Sequence, residues 1–209
     1  MKRRNILISA GLLAVGAASG SQVIGLISPR TAKAQDSGVT DRVLGDPDAP
    51  VTLIEYASLT CPHCASFHAN VMPHLKKNWI DTGKAKMIYR HFPLDALALR
   101  ASGLTECVAG DSFFGFVDLL FSTQQQWARS NDPVGALKSL ARQAGIDDDA
   151  AEACLTNEED LRAIMEQRKV GSDDFGVNAT PSLIINGEKF EGPITPASLD
   201  SELEELTGG

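Results

Sequence analysis

Two cysteines separated by a proline and a histidine, Cys61-Pro62-His63-Cys64, stand between an apolar run and a helical pattern. No other stretch of the chain restricts its fold as tightly. The run is Val51-Thr52-Leu53-Ile54-Glu55-Tyr56, and beyond the cysteines Cys64, Phe67, Val71, Leu75 and Trp79 recur at near-helical spacing, which predicts strand, loop and helix in that order. Cys61 then lies where unpaired backbone N–H groups and the positive end of the helix dipole converge, and both favour a thiolate. Cys64, one turn further in, is expected to be buried and to keep its proton, leaving Cys61 as an exposed attacking sulfur. His63 can add a hydrogen bond or partial positive charge to the Cys61 thiolate. A more stable thiolate means a more stable reduced form and a more oxidising disulfide.

Other uses of a Cys-x-x-Cys pair fit less well. A zinc site needs four ligands, usually two such pairs, and this chain has one close pair, which His68 and His91 would have to complete. Covalent haem attachment needs His directly after the second Cys, and position 65 is Ala. Thiol redox chemistry without a metal is the leading reading.

The 209 residues, 43% hydrophobic and 22% charged, suit one globular domain or a domain with a sizeable insertion. Residues 1 to 34 stand apart. Lys2, Arg3 and Arg4 precede an apolar stretch from Ile6 to Ile27, and Ala32-Lys33-Ala34 supplies a small-x-small cleavage site before Gln35, the pattern of an export signal cut near Ala34. The paired arginines and the weakly apolar centre raise the twin-arginine route as an alternative to the ordinary secretory one. An uncleaved anchor is the competing reading. The segment holds five basic and no acidic residues, so its removal takes the net charge from −8 to about −13, which disfavours nucleic-acid binding. All four cysteines lie after it, as disulfide chemistry in an oxidising compartment requires.

Residues 35 to 50 are polar with turn signals at Gly45, Asp46-Pro47 and Ala49-Pro50, and read as an N-terminal arm. The helix after the cysteines is expected to kink at Pro73; Ala85 to Arg90 then returns as a parallel strand. From about 95 to 174 the pattern is helical. Phe113, Val117, Leu120 and Phe121 form one apolar face, Asp132-Pro133 caps a helix that stops at Gly145, and Thr156-x-x-Glu159 matches a capping box. Leu183-Ile184-Ile185 and Glu188-Lys189-Phe190 flank Asn186-Gly187 as a hairpin with a type I′ turn. Pro196 to Leu206 closes the chain as a helix, with Thr207-Gly208-Gly209 expected to fray. Strands from both ends thus flank a helical block, dividing the chain into residues 51–94 and 175–209 on one side and the insertion 95–174 on the other.

Cys61-Pro62-His63-Cys64 together with Thr180-Pro181 immediately before a strand resembles the DsbA family of thiol:disulfide oxidoreductases. The resemblance covers roughly residues 48 to 206. It implies an α/β, thioredoxin-like fold with an inserted α-helical subdomain, and it implies that Pro181 is cis and lies against the active-site sulfurs, with Thr180 beside it in substrate binding. It assigns Pro62 and His63 to tuning of Cys61. Glu55, six residues before Cys61, matches the family's buried acidic residue, and a carboxyl group in an apolar strand has a raised pKa and can relay a proton to or from Cys64. The alternating strand leaves a solvent-facing Glu55 as the other reading. His68 and His74 are expected to be ordinary, partly exposed residues of the helix, and His91 structural.

Cys107 and Cys154 fall 47 residues apart in the helical block. In an exported protein a structural disulfide between them is the favoured reading over two free buried thiols, stabilising by about 4 kcal/mol in the chain-entropy model.

The resemblance implies disulfide donation from Cys61–Cys64 to reduced exported polypeptides in the periplasm, through a mixed disulfide at Cys61 and without any cofactor. The substrate pairs its backbone beside Thr180, and a membrane quinone-linked partner of the DsbB type restores the disulfide. The rivals are a disulfide isomerase or reductase, which Thr180 before the proline also suits, and a thiol-based metal carrier. Against the isomerase, relatives of that type usually carry a dimerisation module, which residues 35 to 50 cannot supply; a monomer is expected.

Overall fold

The structure is a computed structural model that describes residues 39–208 apart from 109 and 111. The export signal and its cut near Ala34 lie outside the described residues. Among the described residues no helix is long and apolar enough to cross a membrane.

Among the described residues five strands form one sheet: β1 (Arg42–Leu44), β2 (Val51–Ala57), β3 (Ala85–His91), β4 (Ser182–Ile185) and β5 (Glu188–Lys189), in the order β1-β3-β2-β4-β5. Only β2 and β3 run parallel; β1, β4 and β5 join antiparallel. The helix that carries the chain from β2 back to β3 explains the parallel pair, because a parallel return needs a crossover. β2 is the central strand, and six of its seven residues are buried, as a strand covered on both faces requires. Leu53 joins the apolar cluster of Phe67, Leu75, Trp79, Leu199 and Leu203 on one face, and Ile54 and Tyr56 join Phe92 and Val177 on the other. The two-residue period puts Glu55 on the Leu53 face.

The crossover is α1 (Pro62–Asn70), α2 (Met72–Leu75) and a π-helical turn at Lys76–Ile80. The break at Val71 precedes Pro73, which sits in the first turn of α2 where its missing N–H costs nothing. The insertion follows as α3 (Ala96–Glu106), α4 (Ser112–Ser122), α5 (Gln124–Ala128), α6 (Pro133–Gln143), α7 (Asp148–Thr156) and α8 (Glu158–Phe175), and α9 (Pro196–Thr207) closes the chain. A cluster containing Cys64, Tyr89, Leu104, Phe113, Phe116 and Phe121 welds the insertion to the active-site helix. Asp132 caps α6 by accepting from the Gly135 N–H. At the β4–β5 turn Asn186 and Gly187 both have positive φ, 48° and 90°, as a type I′ turn requires.

Three local expectations are corrected. The arm contributes strand β1, because Arg42 to Leu44 finds the free edge of β3 and Asp41 holds Arg90 through both carboxylate oxygens at 2.9 and 2.8 Å. Thr156 is not a cap: its hydroxyl donates to the Glu152 carbonyl at the end of α7, and Asn157 caps α8 by accepting from Glu159 and Asp160 N–H groups. Thr207 belongs to α9, its hydroxyl donating to the Leu203 carbonyl at 2.8 Å.

Candidate redox site

Cys61 is the N-cap of α1, and Pro62 follows in the first turn. Its sulfur lies 3.3 Å from the Thr180 carbonyl, to which the thiol donates. Thr180–Pro181 is a cis peptide bond that leads directly into β4. Residues 61 and 180 are thus brought together by β2 and β4, which pair antiparallel through Leu53↔Ile185 to Tyr56↔Ser182. Beside the cysteines opens a groove of about 500 Å³ lined by His63, Phe67, Thr180, Pro181, Ile194 and Pro196.

The two thiols are unbridged and electrostatically unlike. The Cys64 thiol, hydrogen bonding to the Cys61 sulfur, brings Cys61 down to about 5, and backbone N–H groups of Cys64 and His63 act in the same direction against burial. The Thr180 carbonyl accepts from a thiol and has nothing to accept from a thiolate, so it is not the source of that lowering. Cys64 is fully buried and its pKa is driven far up, first by burial and then by Cys61 and the Glu55 charge. Cys61 is itself only 7% exposed, which corrects the expectation of an open sulfur. What His63 brings to the sulfur is its backbone N–H, while its side chain lines the groove.

Glu55 is fully buried and faces α1. Its Oε2 is 3.0 Å from His68 Nε2, and His68 Nδ1 is 2.8 Å from Asp118 Oδ1 on α4. His68 is therefore not a partly exposed helix residue: it follows Cys64 by one turn on the same face and stacks on Phe121 at 4.2 Å. Burial alone lowers an imidazole pKa, but Glu55 and Asp118 outweigh it and raise His68 to about 9. His74 lies elsewhere, on Asp200, and His91 bonds Glu106. Neither His68 nor His91 joins the cysteines as a ligand set, and among the described residues no cluster of His, Cys, Asp and Glu could hold a metal ion.

Two further groups support the site. Gln124 on α5 is buried and its amide donates to the carbonyls of Leu59 and Cys61 at 2.8 and 2.9 Å. Thr60 donates to Asp95, the cap of α3, at 2.6 Å. Nothing local in the sequence marks Gln124, because its partners are over sixty residues away. Cys107 and Cys154 form a disulfide between the end of α3 and α7, with Cα atoms 6.1 Å apart. The helices approach closely there: a Cβ on Gly103 would meet the Cys154 carbonyl oxygen at 2.8 Å.

A family model described as Thioredoxin matches residues 37–205. The chain belongs to the thioredoxin family. Within it the likeness is to DsbA-type proteins: Wolbachia pipientis alpha-DsbA1 superposes with a TM-score of 0.75 at 33% identity, covering 81% of this chain and 92% of that one. A Rickettsia bellii protein named as a protein-disulfide oxidoreductase is 31% identical over 170 residues, 79% of this chain and 65% of that protein. A Bacillus anthracis protein named as disulfide bond formation protein D is 27% identical over 205 residues, covering 90% and 91% of the two chains. This thioredoxin-family chain spans between about half and two thirds of the length of the Rickettsia relatives it matches, 53% to 65%.

Proposed function

We propose that this thioredoxin-family protein is a thiol:disulfide oxidoreductase that donates the Cys61–Cys64 disulfide to reduced exported polypeptides in the periplasm. The observation that carries the reading is the placement of two unbridged sulfurs one helical turn apart, Cys61 at the N-cap of α1 against cis Thr180–Pro181 and Cys64 fully buried, an arrangement that lowers the pKa of the first and raises that of the second. A substrate thiolate attacks Cys61; the Cys61–Cys64 bond breaks and Cys64 takes the electron pair and then a proton. A second substrate thiolate attacks the substrate sulfur of the mixed disulfide, which releases the oxidised polypeptide and Cys61 as thiolate. The low pKa of Cys61 makes it the better leaving group in that second step. The groove beside Thr180 and Pro181 offers apolar side chains and strand backbone to an extended segment, a mode of binding that tolerates many sequences. Glu55, the buried carboxylate whose charge Cys64 feels, exchanges the proton. Cys107–Cys154 is structural. The protein acts as a monomer, needs no cofactor, and is reoxidised by a membrane quinone-linked partner of the DsbB type.

Equilibration of the full chain with glutathione buffers of known ratio tests the direction of transfer. A potential near about −120 mV, where a strongly oxidising DsbA pair lies, supports donation; a value near about −270 mV, that of thioredoxin, replaces it with a reductase or isomerase.

A further inference from the structure

Cys64 presents a chemical difficulty that Cys61 does not. To close the disulfide from a mixed disulfide at Cys61 it must lose its proton, yet it is fully buried and held strongly as a thiol. Glu55 is the buried carboxylate whose charge it feels. A lone buried carboxylate would itself take up a proton and stop being a base, because burial disfavours its charged form. His68 occupies Glu55 Oε2 at 3.0 Å, while Oε1 is buried with no hydrogen-bond partner among the described residues.

We propose that His68 is the positioning residue of this exchange: as an imidazolium gripped between Glu55 and Asp118 it keeps Glu55 ionised and occupies one carboxylate oxygen, leaving the other to take the Cys64 proton. The assignment rests on the disulfide-exchange reading of the same site. In the step concerned, the Cys64 S–H bond breaks and the proton passes to Glu55. The sulfur's electron pair forms the bond to Cys61. The bond from Cys61 to the partner sulfur breaks, and the partner leaves as a thiolate that takes its proton from solvent. The disulfide-bearing partner is the oxidant, so electrons balance.

The surroundings of His68 fit a fixed cation. Glu55 faces it from β2, Asp118 from α4 and Tyr89 edge-on from β3 at 6.3 Å between centroids, and Cys64 lies one turn earlier on α1. Glu55 and Tyr89 are register partners across the parallel pair, so both reach the same side of the sheet. Phe121 closes the other face of the ring. The Asp118 side chain is 61% exposed while that of His68 is 4% exposed, so the positive charge is anchored between one buried and one solvated carboxylate. His68 also borders an opening of about 350 Å³ that it shares with Ala65, Gly115 and Asp118.

The experiment uses reduced full-length protein, glutathione disulfide as the oxidant, and the variants His68→Gln, Glu55→Gln, the double variant, and Asp118→Asn. In His68→Gln, ring closure from the Cys61–glutathione mixed disulfide should slow about tenfold, a modest share of what a positioned base contributes. Alkylation of Cys61 should keep its pH midpoint, and a protonated-carboxyl infrared band should appear at neutral pH and vanish in the double variant. Glu55→Gln should be at least as slow, and the double variant no slower than Glu55→Gln. Asp118→Asn, which changes a solvated group, should slow the same step by a smaller factor and tests the proposal even where His68→Gln does not fold. Unchanged ring closure in both His68→Gln and Asp118→Asn, absence of the infrared band, or parallel loss of ring closure and Cys61 alkylation would each overturn the assignment. Failure of the oxidase reading would show separately, in transfer to reduced polypeptides, since glutathione exchange needs only the Cys61–Cys64 pair.

Discussion

Cys61 and Cys107 each sit at the end of a helix, and at opposite ends. Cys61 is the N-cap of α1, where N–H groups converge; Cys107 is the C-cap of α3, where carbonyls do. The first position stabilises a thiolate and the second opposes one. Exposure does not separate them in the expected sense, since Cys61 is buried and Cys107 is exposed. Their partners differ as well. Cys64 lies three residues away and shares a hydrogen bond with Cys61 in the unbridged state, whereas Cys154 lies 47 residues away and is bridged. One pair is built so that breaking it yields a stable anion; the other ties α3 to α7. The lesson is that backbone placement, more than access to solvent, sorts cysteines of one chain into exchanging and structural pairs.

The strongest attack on that comparison is Cys61→Ser, which should abolish disulfide transfer entirely, while the double variant Cys107→Ala/Cys154→Ala should retain it; assays with a reduced polypeptide decide between them. Next in size is the pH profile of alkylation. Cys61 should react at near-plateau rate down to about pH 5, whereas Cys107 and Cys154, once reduced, should lose about tenfold per pH unit below the ordinary thiol range. A common midpoint for all of them would break the comparison. The same lowered pKa has a stability consequence. Because the folded value lies below the unfolded one, it stabilises the reduced protein fully above about pH 9 and loses that effect as pH falls through about 5. Urea unfolding of reduced against oxidised protein across that window should show the reduced form losing ground with acid. Removing the Cys107–Cys154 bridge should cost about 4 kcal/mol of unfolding free energy without moving the Cys61 midpoint. Smallest is Gln124→Ala, which leaves two buried carbonyls at Leu59 and Cys61 unpartnered and should cost about 1–3 kcal/mol in thermal unfolding.

What the sequence by itself determined was local or periodic. The strand–loop–helix order around Cys61, the Asp132 cap, the Asn186-Gly187 turn and the apolar face of α4 are each settled within a few residues, where backbone geometry and the nearest side chain act directly. The likeness to a known family extended this to the sheet and to the place of Pro181. Tertiary structure alone decided the rest. His68 reads in sequence as one more polar helix residue, and only the packing of β2 below and α4 beside it turns it into a bridge between Glu55 and Asp118. Gln124 is silent until α5 lies against the loop before Cys61, and Arg42 to Leu44 becomes a strand only because β3 offers an unpaired edge. The physical reason is common to all three. Hydrogen bonds and ion pairs between distant segments depend on the direction and depth at which elements dock, and no local pattern of residue types records either.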